Sequence, residues 1–259
     1  MITAGIDIGS STSKAAILED NRILSYCIIP TGAESAGSAR RVMDEALRKT
    51  GRLSLEDIGF IIATGYGRVI APFANETVTE ISCHARGANW FFPSVKTVLD
   101  MGGQDCKAIS CDAQGKLVNF VMNDKCAAGT GRFLEVMAQV MGLPLTDIGP
   151  LSLQAKNLVK INSTCTVFGK SEVISLLRQG KDKADILAGL HAAIVTRVYT
   201  LLRKVGIQLD FAITGGIGKN VGVVRTLEER LGLHALLPEE PQIVGAVGAA
   251  LFARDRLSN

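Results

Sequence analysis

An aspartate, a glycine two positions later and a lysine seven positions later occur twice in the chain. The two sets are Asp7, Gly9 and Lys14, and Asp100, Gly102 and Lys107. A strand that ends in Asp-x-Gly turns the backbone so that consecutive N–H groups point outward, and such a turn binds phosphate. A carboxylate at this place suits a Mg²⁺ that bridges phosphates, directly or through water. The repeat therefore predicts two phosphate-binding turns that grip one nucleotide from both sides.

Both turns continue into residues that could contact a triphosphate through hydroxyl, lysine or backbone donors. The predicted phosphate-binding residues are Gly9, Ser10, Ser11, Thr12, Ser13 and Lys14 in the first turn and Gly102, Gly103 and Gln104 in the second. The predicted catalytic residues are Asp7, Asp100, Gln104 and Asp105, with Asp7 holding Mg²⁺ through water. Whether Gln104 or Asp105 positions the attacking water stays open. For either aspartate alone, capping of a turn is the simpler explanation.

A third glycine-rich segment, "FAITGGIGKN" (211–220), joins a strand to a helix. Gly215 and Gly216 would let the backbone approach a flat adenine ring or its ribose. Alone this signal is weak, because such joins occur in every class of α/β protein. Gln242 is added to the nucleotide-binding set from the segment "PQIVGAVGAALFA" (241–253), where Gly245 and Gly248 permit close packing of a helix.

The order of elements around the two turns is also repeated. In residues 5–29 and again in residues 98–122, a strand, a glycine turn, a strand, a polar turn and a third strand precede a helix. This predicts a duplicated two-domain α/β fold. We expect one subdomain over residues 1–94, a second over 95–240, and a C-terminal helix at about 241–259 that packs back onto the first. Chance recurrence of a common turn is the weaker alternative.

Composition limits the other classes of function. The net charge is +3 and the basic residues are scattered, so we expect no nucleic-acid interface. We expect neither a signal peptide nor an apolar stretch of membrane-spanning length, and hence a cytoplasmic location. In that compartment the six cysteines are not expected to form disulfides. The three histidines show no spacing typical of metal ligands.

Several segments resemble known ATPases. "GIDIGSSTSK", "LDMGGQDCK" and "AITGGIGKN" resemble, in order, the two phosphate segments and the adenosine segment of the actin, hexokinase and heat-shock-chaperone superfamily. "ATGYGR", "TEISCHARGA", "DMGGQD", "MNDKCAAGTGRFLE" and "STCTVF" are similar to the activators, also called initiator ATPases or component A, of 2-hydroxyacyl-CoA dehydratases. The relatives of these activators include ATPase subunits of benzoyl-CoA reductases. The resemblance implies a duplicated actin-like, ribonuclease-H-like fold with two domains around a nucleotide cleft.

The same resemblance implies the cofactors and partners. Members of this family are homodimers that hold one [4Fe–4S] cluster between two subunits, and the motifs assign its ligands to Cys126 and Cys165 of each chain. Both cysteines precede a predicted helix, whose N-terminus favours an anionic cluster. The implied cofactors are therefore ATP, Mg²⁺ and the cluster. Cys27 is expected to be buried, and the roles of Cys83, Cys106 and Cys111 stay open.

The implied activity is ATP-driven donation of one electron to a partner enzyme. Reduced ferredoxin or flavodoxin would load the electron, and an iron–sulfur dehydratase would accept it. Lys125 and Arg132 beside the cluster segment could help to dock the acceptor. Alternative acceptors are a double-cubane cluster protein or a benzoyl-CoA-reductase-like enzyme. More distant alternatives are a small-molecule kinase of the same superfamily, which has no need of the two cysteines, and an actin-type filament protein.

Overall fold

The computed structural model describes residues 1–32, 34–123, 129–161 and 165–258. In this part of the chain, nine strands form two sheets. The first sheet has the order β3-β2-β1-β4-β5, with β1 Ile2–Ile8, β2 Thr12–Glu19, β3 Arg22–Pro30, β4 Phe60–Thr64 and β5 Glu76–Thr77. The second has the order β8-β7-β6-β9, with β6 Thr97–Met101, β7 Cys106–Cys111, β8 Leu117–Asn123 and β9 Phe211–Thr214.

Eight α-helices connect and cover the sheets within the described residues. They are α1 Ser35–Thr50, α2 Glu80–Phe91, α3 Gly131–Met141, α4 Ile148–Ser152, α5 Thr166–Arg178, α6 Lys183–Val205, α7 Val221–Leu231 and α8 Val244–Leu257. Three helices begin after a residue type that favours the N-cap position. The side chains of Thr79, Asp182 and Asn220 accept backbone hydrogen bonds at the starts of α2, α6 and α7, respectively.

The two sheets are built in the same way. In each, a central strand pairs antiparallel with the strand that follows it and parallel with a strand from later in the chain. Asp7 is the cross-strand partner of Lys14, and Asp100 that of Lys107. The shared spacing of seven residues in the sequence is therefore the register of a hairpin, which places each lysine beside its aspartate.

Both faces of each sheet are covered, so the central strands are buried throughout. Helix α1 covers the outer face of the first sheet, and α3, α6 and α7 cover the outer face of the second. Helices α2 and α8 lie between the two sheets. A Cβ at Gly248 would overlap the backbone of Cys83, and one at Gly87 would overlap Val244, so glycine is what lets α2 and α8 pack this closely.

Helix α8 contacts the first sheet as well as α2. A Cβ at Gly5 of β1 would overlap the backbone of Ala246 and Ala250, and Thr3 donates a hydrogen bond to the Ala250 carbonyl at 3.2 Å. The helix is apolar around its circumference because every side is covered. The domain limits at residues 94 and 240 stay a prediction.

Helix α6 corrects one expectation from the sequence. At 23 residues it is long and apolar enough by composition to cross a membrane, whereas no such stretch was expected. Its residues Leu187, Leu190 and Ile194 are fully buried in the core of the second half, and 61% of its apolar window is buried. The apolar composition is accounted for by this core position.

Candidate active site

A cleft of about 680 Å³ lies between the two halves, where the hairpin turns of both sheets meet. Nearly all of the predicted nucleotide-binding and catalytic residues line it. They are Asp7, Gly9, Ser10, Ser11, Thr12, Lys14, Asp100, Gly102, Gly103, Gln104, Asp105, Gly215, Gly216 and Gln242. Fourteen residues from separate parts of the sequence thus surround one cleft.

Ser13 is the exception among the predicted residues. Successive side chains of a strand point to opposite faces, so Thr12 and Lys14 face the cleft while Ser13 points away from it. Ser13 is fully buried, and its hydroxyl lies 3.0 Å from that of Thr31, which donates to the Gly9 carbonyl at 2.7 Å. Its hydroxyl therefore lies behind the first turn, which it supports, and not at the surface of the cleft.

The two turns have the same geometry and face each other. The N–H of Gly9 donates to the Thr12 carbonyl at 3.1 Å, and that of Gly102 to the Asp105 carbonyl at 3.0 Å. A Cβ at Gly103 would overlap the side chain of Ser11 from the opposite turn. This close approach is what two turns need in order to hold one polyphosphate between them.

A second pair of glycines adjoins the two aspartates. Gly65 follows β4 and Gly215 follows β9, with φ of 88° and 83°. A Cβ at Gly65 would overlap Asp7 Oδ1, and one at Gly215 would lie 2.7 Å from Asp100 Oδ1. Conformation and space both require glycine here. The N–H of Gly215 also donates to the Pro241 carbonyl at 2.9 Å, which brings the predicted adenosine segment beside Gln242.

Each of the two aspartates lies beside a lysine. Lys14 Nζ lies 3.1 Å from Asp7 Oδ2. Lys107 is almost fully buried, and its Nζ lies 3.6 Å from Asp100, 2.7 Å from Asp105 and 3.3 Å from Glu80. Burial alone would lower the pKa of Lys107, but these three carboxylates outweigh it and raise the pKa above its usual value.

The same network keeps Asp100 ionised. Burial raises the pKa of this carboxyl, but the charges of His84, Lys107 and Lys14 and the hydrogen bond from Thr214 outweigh burial and leave the pKa below its usual value. One carboxylate from each half therefore faces the cleft. Within the described ranges no group of three or more His, Cys, Asp and Glu side chains could hold a metal ion by itself. A cleft with these two carboxylates fits Mg²⁺, because Mg²⁺ keeps several waters and takes phosphate oxygens as its other ligands.

The cleft also contains residues that sequence reasoning did not assign. They are Gly65, Tyr66, Glu80, His84, Lys107, Met122, Gly131, Leu134, Glu135, Leu145, Thr146, Ile217, Lys219 and Asn220. Most of them belong to the motifs "ATGYGR", "TEISCHARGA" and "MNDKCAAGTGRFLE", to the segment 211–220 or, for Lys107, to the repeat. Leu145 and Thr146 reach the cleft through tertiary packing, which no local pattern predicts.

The cysteines differ sharply in exposure. Cys27, Cys83, Cys106 and Cys111 are buried, whereas Cys165 is exposed and precedes the first residue of α5. Burial raises the pKa of Cys83 to about 12 and also raises that of Cys106 and Cys111, so these thiols stay protonated. Cys126, the other predicted cluster ligand, lies outside the described residues, as does Lys125.

The second turn is joined to the start of α3. The N–H of Gly131 donates to the Gly102 carbonyl at 3.0 Å, and the N–H of Arg132 to the Gly103 carbonyl at 2.8 Å. Just before α3, the Cys106 thiol donates to the Gly129 carbonyl at 2.9 Å. The cleft is thus connected by hydrogen bonds to the chain that directly follows the cysteine segment.

Comparison with known proteins assigns the chain to a family. The model of the BadF/BadG/BcrA/BcrD ATPase family matches residues 4–253. The chain belongs to the BadF/BadG/BcrA/BcrD ATPase family. Its activity is accordingly that of an ATPase.

Members of the family with high similarity match from end to end. The activator of lactoyl-CoA dehydratase from Anaerotignum propionicum is 45% identical over 98% of this chain and 97% of its own length. The structure of (R)-2-hydroxyglutaryl-CoA dehydratase component A from Acidaminococcus fermentans superposes with a TM-score of 0.95 at 44% identity and covers 100% of both chains. The activator of the 2-hydroxyisocaproyl-CoA dehydratase from Clostridium difficile, solved with bound ADPNP, gives 0.95 at 42% identity, over 100% of this chain and 96% of its own.

The fold extends beyond the family. A ROK family glucokinase from Streptomyces griseus superposes with a TM-score of 0.60 over 98% of this chain and 100% of its own, at 16% identity. At that identity the likeness shows the shared fold alone. The duplicated, actin-like fold class predicted from the sequence is confirmed.

Proposed function

We propose that this ATPase is a one-electron donor that activates an iron–sulfur enzyme of the 2-hydroxyacyl-CoA dehydratase type. The observation that carries the proposal is Cys165. It is the exposed cysteine among those that the structure describes, and it lies at the N-terminus of α5 in a segment similar to one of the dehydratase activators. Full-length relatives that are named as such activators support the same function.

The residues present fit a cluster shared between two subunits. Cys165 makes no capping hydrogen bond through its side chain, and the free N–H groups at a helix N-terminus favour an anionic cluster. Val167 and Phe168 beside it are 69% and 68% exposed, as suits a surface that a second subunit covers. A four-iron cluster takes four thiolates, so Cys126 and Cys165 of two chains related by a two-fold axis complete the set. When bound, the cluster supplies one-electron chemistry at low potential.

The nucleotide part of the proposal assigns MgATP to the cleft. Its phosphates lie between the two glycine turns, and Asp7, Asp100, Gln104 and Asp105 take part in hydrolysis. Adenosine lies along Gly215, Gly216 and Gln242. Residues 1–94 with α8 form one subdomain and residues 95–240 the other, and closure of this cleft distinguishes the nucleotide states.

Closure reaches the cysteine segment through the second turn. Gly102 and Gly103 line the cleft, and their carbonyls accept hydrogen bonds from Gly131 and Arg132 at the start of α3. A shift of this turn therefore pulls on the chain that follows Cys126. A one-electron potential that falls by about 59 mV corresponds to about 1.4 kcal/mol, so a modest change of environment has a large effect on the driving force.

The partners follow from this chemistry. Reduced ferredoxin or flavodoxin is the electron donor, and the acceptor carries its own iron–sulfur centre and docks near the cysteine segment, with Arg132 at its edge. A 2-hydroxyacyl-CoA dehydratase is the preferred acceptor. All of these reactions use cytoplasmic ATP and reductants, so we place the protein in the cytoplasm, as a homodimer.

An anaerobic capture experiment tests the proposal. The reduced protein is immobilised and presented with a 2-hydroxyacyl-CoA dehydratase in the presence of ATP, ADP or ADP–fluoroaluminate, and the acceptor's iron–sulfur signal is followed by electron paramagnetic resonance. With the native protein we expect ATP-dependent reduction of the acceptor and nucleotide-dependent capture. With Cys165→Ala we expect no electron transfer to the acceptor. Capture that is indifferent to nucleotide, or a bound protein without a redox centre, refutes electron donation.

Two further readouts separate the remaining alternatives. Transfer to a double-cubane protein or a benzoyl-CoA-reductase-like enzyme, without transfer to the dehydratase, keeps electron donation and changes the acceptor. A colourless anaerobic protein that phosphorylates a small molecule would instead indicate a kinase of the same fold.

A further inference from the structure

His84 lies in the cleft between the two halves and has no role in the functions described above. It belongs to α2, which packs Cys83 against Ile62 of the first sheet and Ala85 against Val98 of the second. The imidazole is 5% exposed. A buried polar ring at this place needs hydrogen-bond partners, and its partners come from the second half.

The direction of those hydrogen bonds is determined by Thr214. Its hydroxyl donates to Asp100 Oδ1 at 3.2 Å, which uses its single hydrogen. His84 Nδ1 lies 2.9 Å from the same hydroxyl oxygen and 3.5 Å from Asp100 Oδ1, so Nδ1 carries a proton and donates. The chain of donors therefore runs from His84 through Thr214 to Asp100.

This chain, together with Lys107, fixes the carboxylate of Asp100 on both sides. Oδ1 receives the Thr214 hydroxyl and faces His84, while Oδ2 lies 3.6 Å from Lys107 Nζ. The other nitrogen of the imidazole points towards the first half. A Cβ at Gly245 would lie 2.8 Å from His84 Nε2 and 3.3 Å from Asp7 Oδ2, so the ring occupies space between the two aspartates that glycine leaves open.

The duplicated fold provides an internal comparison. Thr64 in the first sheet is the register partner of Asp7, as Thr214 is that of Asp100 in the second. The buried Thr64 hydroxyl, however, has no hydrogen-bond partner among the described residues. Among the described contacts, only the second aspartate lies beside an imidazole.

We propose that His84 is a positioning residue for ATP hydrolysis: through Thr214 it holds the carboxylate of Asp100 in the orientation that the reaction uses. The proposal rests on the placement of the nucleotide in this cleft and does not depend on electron donation. Because the nucleotide keeps its contacts with both turns when His84 is changed, the loss falls on kcat and leaves KM for MgATP close to the native value.

A matched pair of substitutions tests this role. His84→Asn keeps a hydrogen-bond donor near the position of Nδ1. His84→Leu introduces a side chain of the same size and branching as asparagine but without a donor. In steady-state hydrolysis of MgATP by the anaerobically purified protein, we expect His84→Leu to lower kcat about ten- to a hundred-fold, the range for a lost hydrogen bond to a charged group, with KM changed less than about three-fold. His84→Asn should retain kcat within about three-fold of the native enzyme.

Threonine variants provide the second arm and the control. Thr214→Val should reproduce the kcat of His84→Leu, and combining the two should add little, because both break the same chain. Thr64→Val makes the same chemical change in the first half and should leave kcat near the native value. Thermal melting of every variant identifies loss of fold, and Thr214→Val remains informative if His84→Leu does not fold.

Several outcomes would overturn the proposal. These are equal kcat for His84→Asn and His84→Leu, a loss in KM rather than kcat, additive effects of His84→Leu and Thr214→Val, or an equal loss with Thr64→Val. The assay requires neither the cluster nor an acceptor, so its failure is distinct from a failure of the proposed electron donation.

Discussion

Gly103 is the position where a single methyl group should most directly disturb the cleft. Its backbone is not in the left-handed region, so Gly103→Ala introduces no conformational strain of its own. The new Cβ would lie 2.8 Å from Ser11 Cβ on the opposite turn, and ordinary contact begins at 3.4 Å. The Ser11 hydroxyl can rotate away, but its Cβ cannot, so the two turns must separate by about 0.6 Å or more.

A displacement of this size would move the two turns that we propose hold the phosphates. Misplacement by about 1 Å costs on the order of a hundred-fold in rate, so we expect kcat for ATP hydrolysis to fall about ten- to a hundred-fold, or about 1.4–2.7 kcal/mol. The assay is steady-state release of inorganic phosphate, with nucleotide affinity measured separately by titration calorimetry.

A compensating change distinguishes steric separation from other causes. Ser11→Gly removes the clashing Cβ, so the double variant Gly103→Ala, Ser11→Gly should be more active than Gly103→Ala alone. Gly37→Ala in α1, where a Cβ would make only ordinary contacts, should leave activity unchanged. Native activity of Gly103→Ala, or no recovery in the double variant, would show that the two turns do not close on each other as described.

Three further predictions concern the cluster, the metal and the core. Cys126→Ala and Cys165→Ala should each abolish the iron–sulfur absorbance while Cys27→Ala keeps it, and iron analysis should give about four Fe per dimer; four per monomer would exclude a shared cluster. Asp7→Ala should lower ATP hydrolysis about a hundred-fold at saturating Mg²⁺, because it removes a carboxylate from the cleft, and unchanged turnover would contradict its assignment. Burial lowers the pKa of His191 to about 4 from 6.5, so the unfolded state binds the proton first as pH falls. Up to about 3 kcal/mol of stability should therefore be present above pH 6.5 and lost towards pH 4; thermal melts of His191→Gln should show a smaller loss over this range, and an identical pH dependence would contradict the argument.

The hairpins and their turns could be predicted because they are local. The Asp–Gly–Lys spacing recurs at a constant offset of 93 residues, and the strands it predicts agree with the structure to within a few residues. The equivalence of Thr64-Gly65 and Thr214-Gly215, which follow the parallel strand of each half, was not predicted, for a physical reason. The first pair begins 57 residues after Asp7 and the second 114 residues after Asp100, because the second half has the four helices α3 to α6 where the first half has α1. A fixed offset cannot detect a repeat of that kind.

Helix boundaries were less predictable where propensity is low. The sequence predicts a helix over 170–179, whereas α5 already begins at Thr166. Its first turn contains β-branched residues and Gly169, which are poor helix formers, and Gly169 is buried against Phe133 of α3. Tertiary packing thus extends α5 to Thr166, directly after Cys165. The sequence likewise assigns His84 no role, because the three histidines show no spacing typical of metal ligands. Its contact with Thr214 spans 130 residues of sequence, so no local pattern indicates it.

The duplication also provides a first-half counterpart for the chain between β8 and α3. At the offset of 93 residues, positions 124–128 of the second half correspond to 31–35 of the first, the connection between β3 and α1. In the first half this connection holds the phosphate turn through Thr31, whose N–H donates to the Ser11 carbonyl and whose hydroxyl donates to that of Gly9. In the second half the corresponding turn is held by the start of α3, beyond Cys126. In both halves the phosphate turn is therefore held by chain that comes after the third strand of its hairpin unit. A movement of either turn is thus passed to the helix that comes next in the chain, which is α1 in the first half and α3 in the second.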